Sequence, residues 1–184
     1  PDSAVERFAR QRLPWLKKHI GQYAQSPAVH YESGDTLHLW GVPCQLDILP
    51  AQARVRGPRV MVVGNRILLT PTPDSGPEAR KALLDQWYRT ELTAAAQQAL
   101  PVHEQTVGKR ASRLIIRDMT SRWGTCNTAT AAITLNLQLA KREPQFLDYV
   151  LVHELTHLHE PSHNARFYTL MDGFYPGWKQ VRKQ

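Results

Sequence analysis

His153-Glu154-Leu155-Thr156-His157 is the stretch on which the reading of this chain turns, and His163 follows it six positions on. On a helix, residues four apart lie on one face. His153 and His157 are therefore expected to share one metal ion. Glu154, next to the first histidine, can reach a water on that metal without being a ligand. That is the arrangement needed for a zinc-activated water with a carboxylate base. Asp148-Tyr149-Val150-Leu151-Val152 leads into the motif as an apolar-rich run suited to a buried helix. Pro161 and Ser162 break that helix just before His163, which can then bring a third ligand from outside it. The alternative is a buried helix that merely carries these side chains. Burying three ionisable groups within five residues without a partner is costly, and this favours the metal.

Working outward, Pro144 opens the motif helix at its first turn, where proline is tolerated. Arg113–Arg117 and Ala132–Leu137 read as strands, with Ser121 to Asn127 as the turn between them. A long amphipathic helix is expected from about Glu78 to Ala99, with Leu83, Leu84, Trp87, Leu92 and Ala95 facing inward. Pro101 follows its end, and a second helix is expected to begin near Val102. The stretch from Pro71 to Pro77, with Ser75 and Gly76, is the best candidate boundary. Before it, Thr36–Trp40 and Cys44–Leu49 read as strands around a Gly41 turn. Arg59–Val63 and Arg66–Thr70 read as a hairpin about Gly64-Asn65. Residues 4–25 show helical spacing of Val5, Phe8, Leu13, Leu16 and Ile20, with a break or kink at Pro14.

The class is therefore α+β: an N-terminal helix and antiparallel strands over residues 1–76, then helices packed on a small sheet over 77–184, able to form one compact unit. With 42% hydrophobic and 21% charged residues the composition is that of an ordinary soluble domain. No apolar run approaches a membrane span. No basic-then-apolar signal sequence is visible, although a start at Pro1 fits a processed precursor as well. Cys44 and Cys126 form no disulfide framework, so a reducing cytoplasm is the expected setting. The net charge of +7 would attract polyanions, but no zinc-finger spacing or glycine-rich phosphate loop accompanies it, and a solvated positive face is the simpler reading.

The set Ser121-Arg122-Trp123-Gly124-Thr125-Cys126, Ile133-Thr134-Leu135-Asn136, Asp148-Tyr149-Val150, His153-Glu154-Leu155-Thr156-His157 and His163 with Phe167 resembles the YgjP-like metallopeptidases. These are relatives of the SprT and WLM groups among gluzincin-like zinc proteases. Thr125 stands where the family pattern has serine. The resemblance implies a zincin-like core in which His153, His157 and His163 bind zinc and Glu154 is the general base. It also implies that the strand bearing Asn136 is the edge strand beside the motif helix, with the Ser121–Cys126 turn near the cleft.

Candidates for stabilising a developing oxyanion are His159, Tyr168, Tyr149 and Arg122. Trp123 can line the cleft or anchor its turn. Arg122 can bind an anionic substrate group or fix the turn. Glu160 and Asp148 can hydrogen-bond a ligand histidine or be solvated. Cys126 reads as a packed small residue. His19, His30, His38 and His103 have no ligand spacing. The leading expectation is a zinc hydrolase cleaving a peptide or unfolded protein. A nucleotide phosphoanhydride hydrolase and a DNA-associated protease are the alternatives. A non-enzymatic metal-dependent module is disfavoured by the intact Glu154.

Overall fold

The helical periodicity that begins near residue 78 is realised as the spine of the molecule. The structure, a computed structural model, describes residues 29–50 and 57–183. The helix expected over residues 4–25 lies outside them. The spine, α1 (Pro77–Val107), buries Leu84, Tyr88, Leu92 and Ala96. These recur at every fourth residue and so form one stripe. Leu83, Trp87 and Ala95, expected to face inward, flank the stripe half-buried.

α1 also corrects the expected break at Pro101, which lies inside a single continuous helix. Proline removes one hydrogen bond but does not by itself end a helix. The end is made further on by Gly108, at φ 71°, whose N–H donates to the Glu104 carbonyl at 2.8 Å. Val107 is buried there, and the Glu104 carboxylate accepts from the Ala111 N–H at 2.8 Å.

Four strands form the first sheet: β1 (Thr36–Leu39), β2 (Val42–Ile48), β3 (Arg59–Val63) and β4 (Arg66–Thr70), in the order β1-β2-β4-β3. Both expected hairpins are present, turning at Trp40-Gly41 and Gly64-Asn65. The sheet is not wholly antiparallel, however, because β2 and β4 pair in parallel. Burial supplies the reason. Ile67 and Leu69 of β4 are fully buried and require an inner position, whereas Met61 and Val63 of β3 are more than half exposed and take the edge. The Tyr88 hydroxyl donates to the His38 carbonyl at 2.7 Å and ties this sheet to α1.

The second sheet contains β5 (Arg113–Arg117), β6 (Gly124–Asn127) and β7 (Ala132–Asn136), in the order β5-β7-β6. Two expectations change here. The second half of the expected Ser121–Asn127 turn is strand β6, because β5 and β7 are parallel and no tight turn can join parallel strands. The strand ending in Asn136 is consequently the middle strand, and β6 is the edge beside the motif helix. Ile133 and Leu135 of β7 are fully buried, as a middle strand requires.

A 3₁₀ turn (Leu137–Lys141) leads into α2 (Pro144–Thr156), with α3 (Ala165–Phe174) and α4 (Trp178–Val181) after it. The β1–β2 hairpin tip docks on this entry: the Trp40 N–H donates to the Ala140 carbonyl at 2.9 Å. A Cβ at Gly41 would stand 2.7 Å from Glu143 Cγ, so the tip needs glycine there. From Tyr31 onward the chain is one compact unit, and a shared core holds Leu46 and Ile67 from the first sheet with Leu92, Leu135 and Leu151. Residues 71–76 join β4 to α1 within that unit.

Candidate metal centre

α2 is enclosed on most sides, with nine buried residues, and Glu154 is among them. It carries His153 on its last turn and ends at His157, whose N–H donates to the His153 carbonyl at 3.3 Å. Beyond it the chain turns back. The His159 and Glu160 N–H groups both donate to the Thr156 carbonyl, at 2.9 and 3.1 Å. Asn164 then caps α3, its side chain accepting from the Phe167 N–H at 3.1 Å. That cap returns His163 to the end of α2. One nitrogen from each of His153, His157 and His163 lies within 4.8 Å of the others.

Phe167 holds the three rings. It is 1% exposed, and its ring centre lies 4.9, 4.7 and 4.8 Å from those of His153, His157 and His163. His157 Nδ1 lies 3.2 Å from the Glu160 carbonyl, which fixes that nitrogen as the donor and leaves Nε2 as a lone-pair ligand. His153 Nε2 and His163 Nε2 are 2.9 Å apart. Two neutral imidazoles presenting lone pairs so closely repel unless a cation or proton lies between them. The donor set thus fits a divalent metal such as zinc.

Electrostatics point the same way. Burial, with His157, His163 and Arg182 adding to it, pushes His153 down to about 3, so its imidazole stays neutral. Burial likewise lowers His157. Burial raises Glu154 to about 8, against a smaller opposing effect of Arg122. No hydrogen bond to the Glu154 carboxyl is formed among the described residues.

A cavity of about 620 Å³ opens over these groups. It is lined by residues 121–126 together with Tyr149, Val150, Glu154, the three histidines and Arg182. Of the oxyanion candidates, Tyr149 and Arg122 line it. His159 instead turns away, its Nε2 lying 2.8 Å from the Val107 carbonyl. Tyr168 stacks on Trp178 at 5.6 Å. Trp123 both lines the cleft, at 39% exposed, and packs edge-on against Phe146 at 5.1 Å. Asp148 pairs with His103 at 2.8 Å, and it is the Glu160 carbonyl, not its carboxylate, that meets His157. Burial and the nearby Glu154 push the Cys126 thiol up to about 11, so it stays a neutral packed group.

Asn136 is the hub of the cleft's strand side. Its amide donates to the Met119 and Arg122 carbonyls, both at 2.7 Å, and its oxygen accepts from the Gln138 N–H at 3.1 Å and the Met119 N–H at 3.3 Å. At 4% exposed it has no water to fall back on. Asn136→Ala is expected to lower stability by about 2–4 kcal/mol, because several buried backbone groups lose their partner at once. Urea denaturation of the purified variant measures this, and a loss under 1 kcal/mol would show that the loop has other support.

A family model described as YgjP-like, metallopeptidase domain, matches residues 1–184. The chain belongs to this family. No curated protein matches it. Among solved structures it is similar to the metallopeptidase zymogen abylysin of Pyrococcus abyssi, at 22% identity and a TM-score of 0.44, over 48% of this chain and 89% of that one. It is also similar to the zymogen jannalysin of Methanocaldococcus jannaschii, at 16% identity and a TM-score of 0.42, over 47% and 89%. Within this YgjP-like chain, sequence reasoning missed two features of the cleft. Arg182 reads in the sequence as part of a solvated basic C-terminal cluster. Gly124 stands against Glu154, and only folding reveals that approach.

Proposed function

We propose that this metallopeptidase-family chain is a zinc peptidase in which His153, His157 and His163 hold the metal and Glu154 is the general base. The observation that carries this reading is the convergence of three imidazole nitrogens within 4.8 Å beside a buried carboxyl group. Zinc bound there supplies a Lewis acid and an acidified water near neutral pH. The charge of the ion would favour the ionised form of Glu154, which a base requires. Glu154 accepts the proton of the attacking water and returns it to the leaving amine. Tyr149, whose phenol burial keeps protonated, lines the cleft as a donor toward the developing oxyanion. β6 ends its sheet beside α2, and an extended peptide can add along it as a further strand.

Nucleotide hydrolysis and DNA-associated proteolysis gain no support from the family match. No helix among the described residues is long and apolar enough to cross a membrane. The two free cysteines suit a reducing, cytoplasmic setting. The test is the metal content of the purified protein beside Glu154→Gln and His163→Ala, followed by digestion of an unfolded protein. One zinc per chain is expected in the parent and in Glu154→Gln. Affinity should fall at least about 100-fold in His163→Ala, since one of three protein ligands is lost. No stoichiometric metal, or metal indifferent to His163, would sink the assignment.

A further inference from the structure

Two arginines reach the cleft from different parts of the fold. Arg122 stands in the loop before β6, held by the Asn136 bond to its carbonyl. Arg182 follows α4 and lines the same cavity. α4 is anchored by Trp178, which stacks between Tyr149 and Tyr168 with ring centres 6.3 and 5.6 Å away, its indole N–H donating to Asp172 at 2.8 Å. Neither guanidinium forms an ion pair with an acidic side chain among the described residues. The four ion pairs found there are Arg66–Asp47, Lys81–Asp85, His103–Asp148 and Lys179–Asp172. Among the described residues Glu154 is the only acidic one lining the cavity, and it is 5% exposed. Among the described residues the lining thus carries two arginines against one buried carboxyl group, and in water such a surplus selects against cations and for carboxylates.

We propose that the cleft selects acidic peptides, with Arg122 and Arg182 receiving Asp or Glu side chains of the bound segment. The proposal rests on the peptidase reading for its choice of a peptide. An extended chain along β6 would advance about 3.3 Å per residue, so side chains a few residues apart reach both arginines. Planar guanidinium groups suit carboxylates through paired N–H bonds.

The test uses the metal-loaded Glu154→Gln protein, so that binding is read without turnover. Two fluorescent peptides of equal length carry either Glu or Lys around a common apolar centre. Fluorescence anisotropy is expected to show the Glu peptide binding at least about tenfold tighter at physiological salt. Adding Arg122→Gln and Arg182→Gln should weaken it about five- to tenfold, the scale of partly exposed ion pairs. Arg113→Gln with Arg117→Gln, on the opposite edge of the same sheet, makes the same change in net charge and should have much less effect. Equal binding of both peptides, equal losses in both double variants, or a nucleoside triphosphate that displaces the Glu peptide at a lower concentration than unlabelled Glu peptide would each overturn the proposal. If charge discrimination is intact but the metal-loaded parent cleaves no peptide, the peptidase reading falls and acidic-peptide binding stands.

Discussion

Glu154→Gln is expected to lower peptide hydrolysis at least about 1,000-fold while leaving the metal bound, within the range that a positioned proton-transfer group contributes. The glutamine keeps the volume and cannot accept the proton. The same substitution carries a second expectation that separates catalysis from folding. In the metal-free protein Glu154 is raised from 4.5 to about 8, chiefly by burial. Between those values the unfolded chain ionises while the folded chain keeps its proton. The folded state then binds more protons, so stability falls as pH rises through this window and the full penalty is reached above pH 8. Glutamine escapes that penalty. Chelator-treated Glu154→Gln should be more stable than the parent by a few kcal/mol at pH 9, at about 1.4 kcal/mol per pKa unit, and equal to it at pH 4. Thermal midpoints at the two pH values measure the difference. A variant less stable than the parent at pH 9 would mean that the buried carboxylate is ionised and paired, contrary to the burial argument.

The second large effect belongs to a residue with no chemistry of its own. A Cβ on Gly124 would stand 2.6 Å from Glu154 Oε1 and 2.9 Å from both Glu154 Cγ and Val150 Cγ1. Ordinary contact begins at 3.4 Å, and Val150 is 2% exposed, with little room to retreat. Either β6 or the glutamate must shift. Displacing a reacting group by about 1 Å costs on the order of 100-fold in rate. Gly124→Ala is therefore expected to lower kcat about 100-fold with metal content unchanged, and to cost about 1–3 kcal/mol of stability through overpacking. The discriminating measurement is a cycle with Glu154→Gln. Where both substitutions act through the same carboxylate, adding Gly124→Ala to Glu154→Gln removes little further activity. Full additivity would place the effect of Gly124 elsewhere, in the edge strand itself.

The sheet edges show where sequence patterns stop being informative. Alternation marked β7 as a strand, and the Gly64-Asn65 turn marked β4 as one arm of a hairpin. Neither pattern could rank them as inner strands, since that depends on which neighbours cover each face. β6 escaped notice because Gly124-Thr125-Cys126-Asn127 is short, polar and preceded by turn-like residues. It becomes a strand only by pairing with β7. Pro101 misled for the opposite reason: a local rule about helix ends was overridden by the cap that Gly108 and Glu104 build about two turns later.

By itself the sequence put forward His153, His157 and His163 as candidate ligands and Glu154 as the candidate base. His153, Glu154 and His157 lie on consecutive turns of one helix, where 3.6-residue geometry sets their relation before any tertiary contact forms. It also placed a break before His163, but that break comes earlier than Pro161 and Ser162: the helix ends at Thr156, whose carbonyl takes the His159 and Glu160 N–H groups. Only the tertiary structure decided what surrounds those groups. Phe167 holds the three rings, the Glu160 carbonyl orients His157, and Asn136 secures the opposing loop. Gly124 lets the edge strand approach Glu154, and Arg182 arrives from the far end of the chain. Apart from the Glu160–His157 and Phe167–His163 contacts, these join residues ten or more positions apart. Packing and hydrogen bonding select them in three dimensions, and no local spacing encodes them.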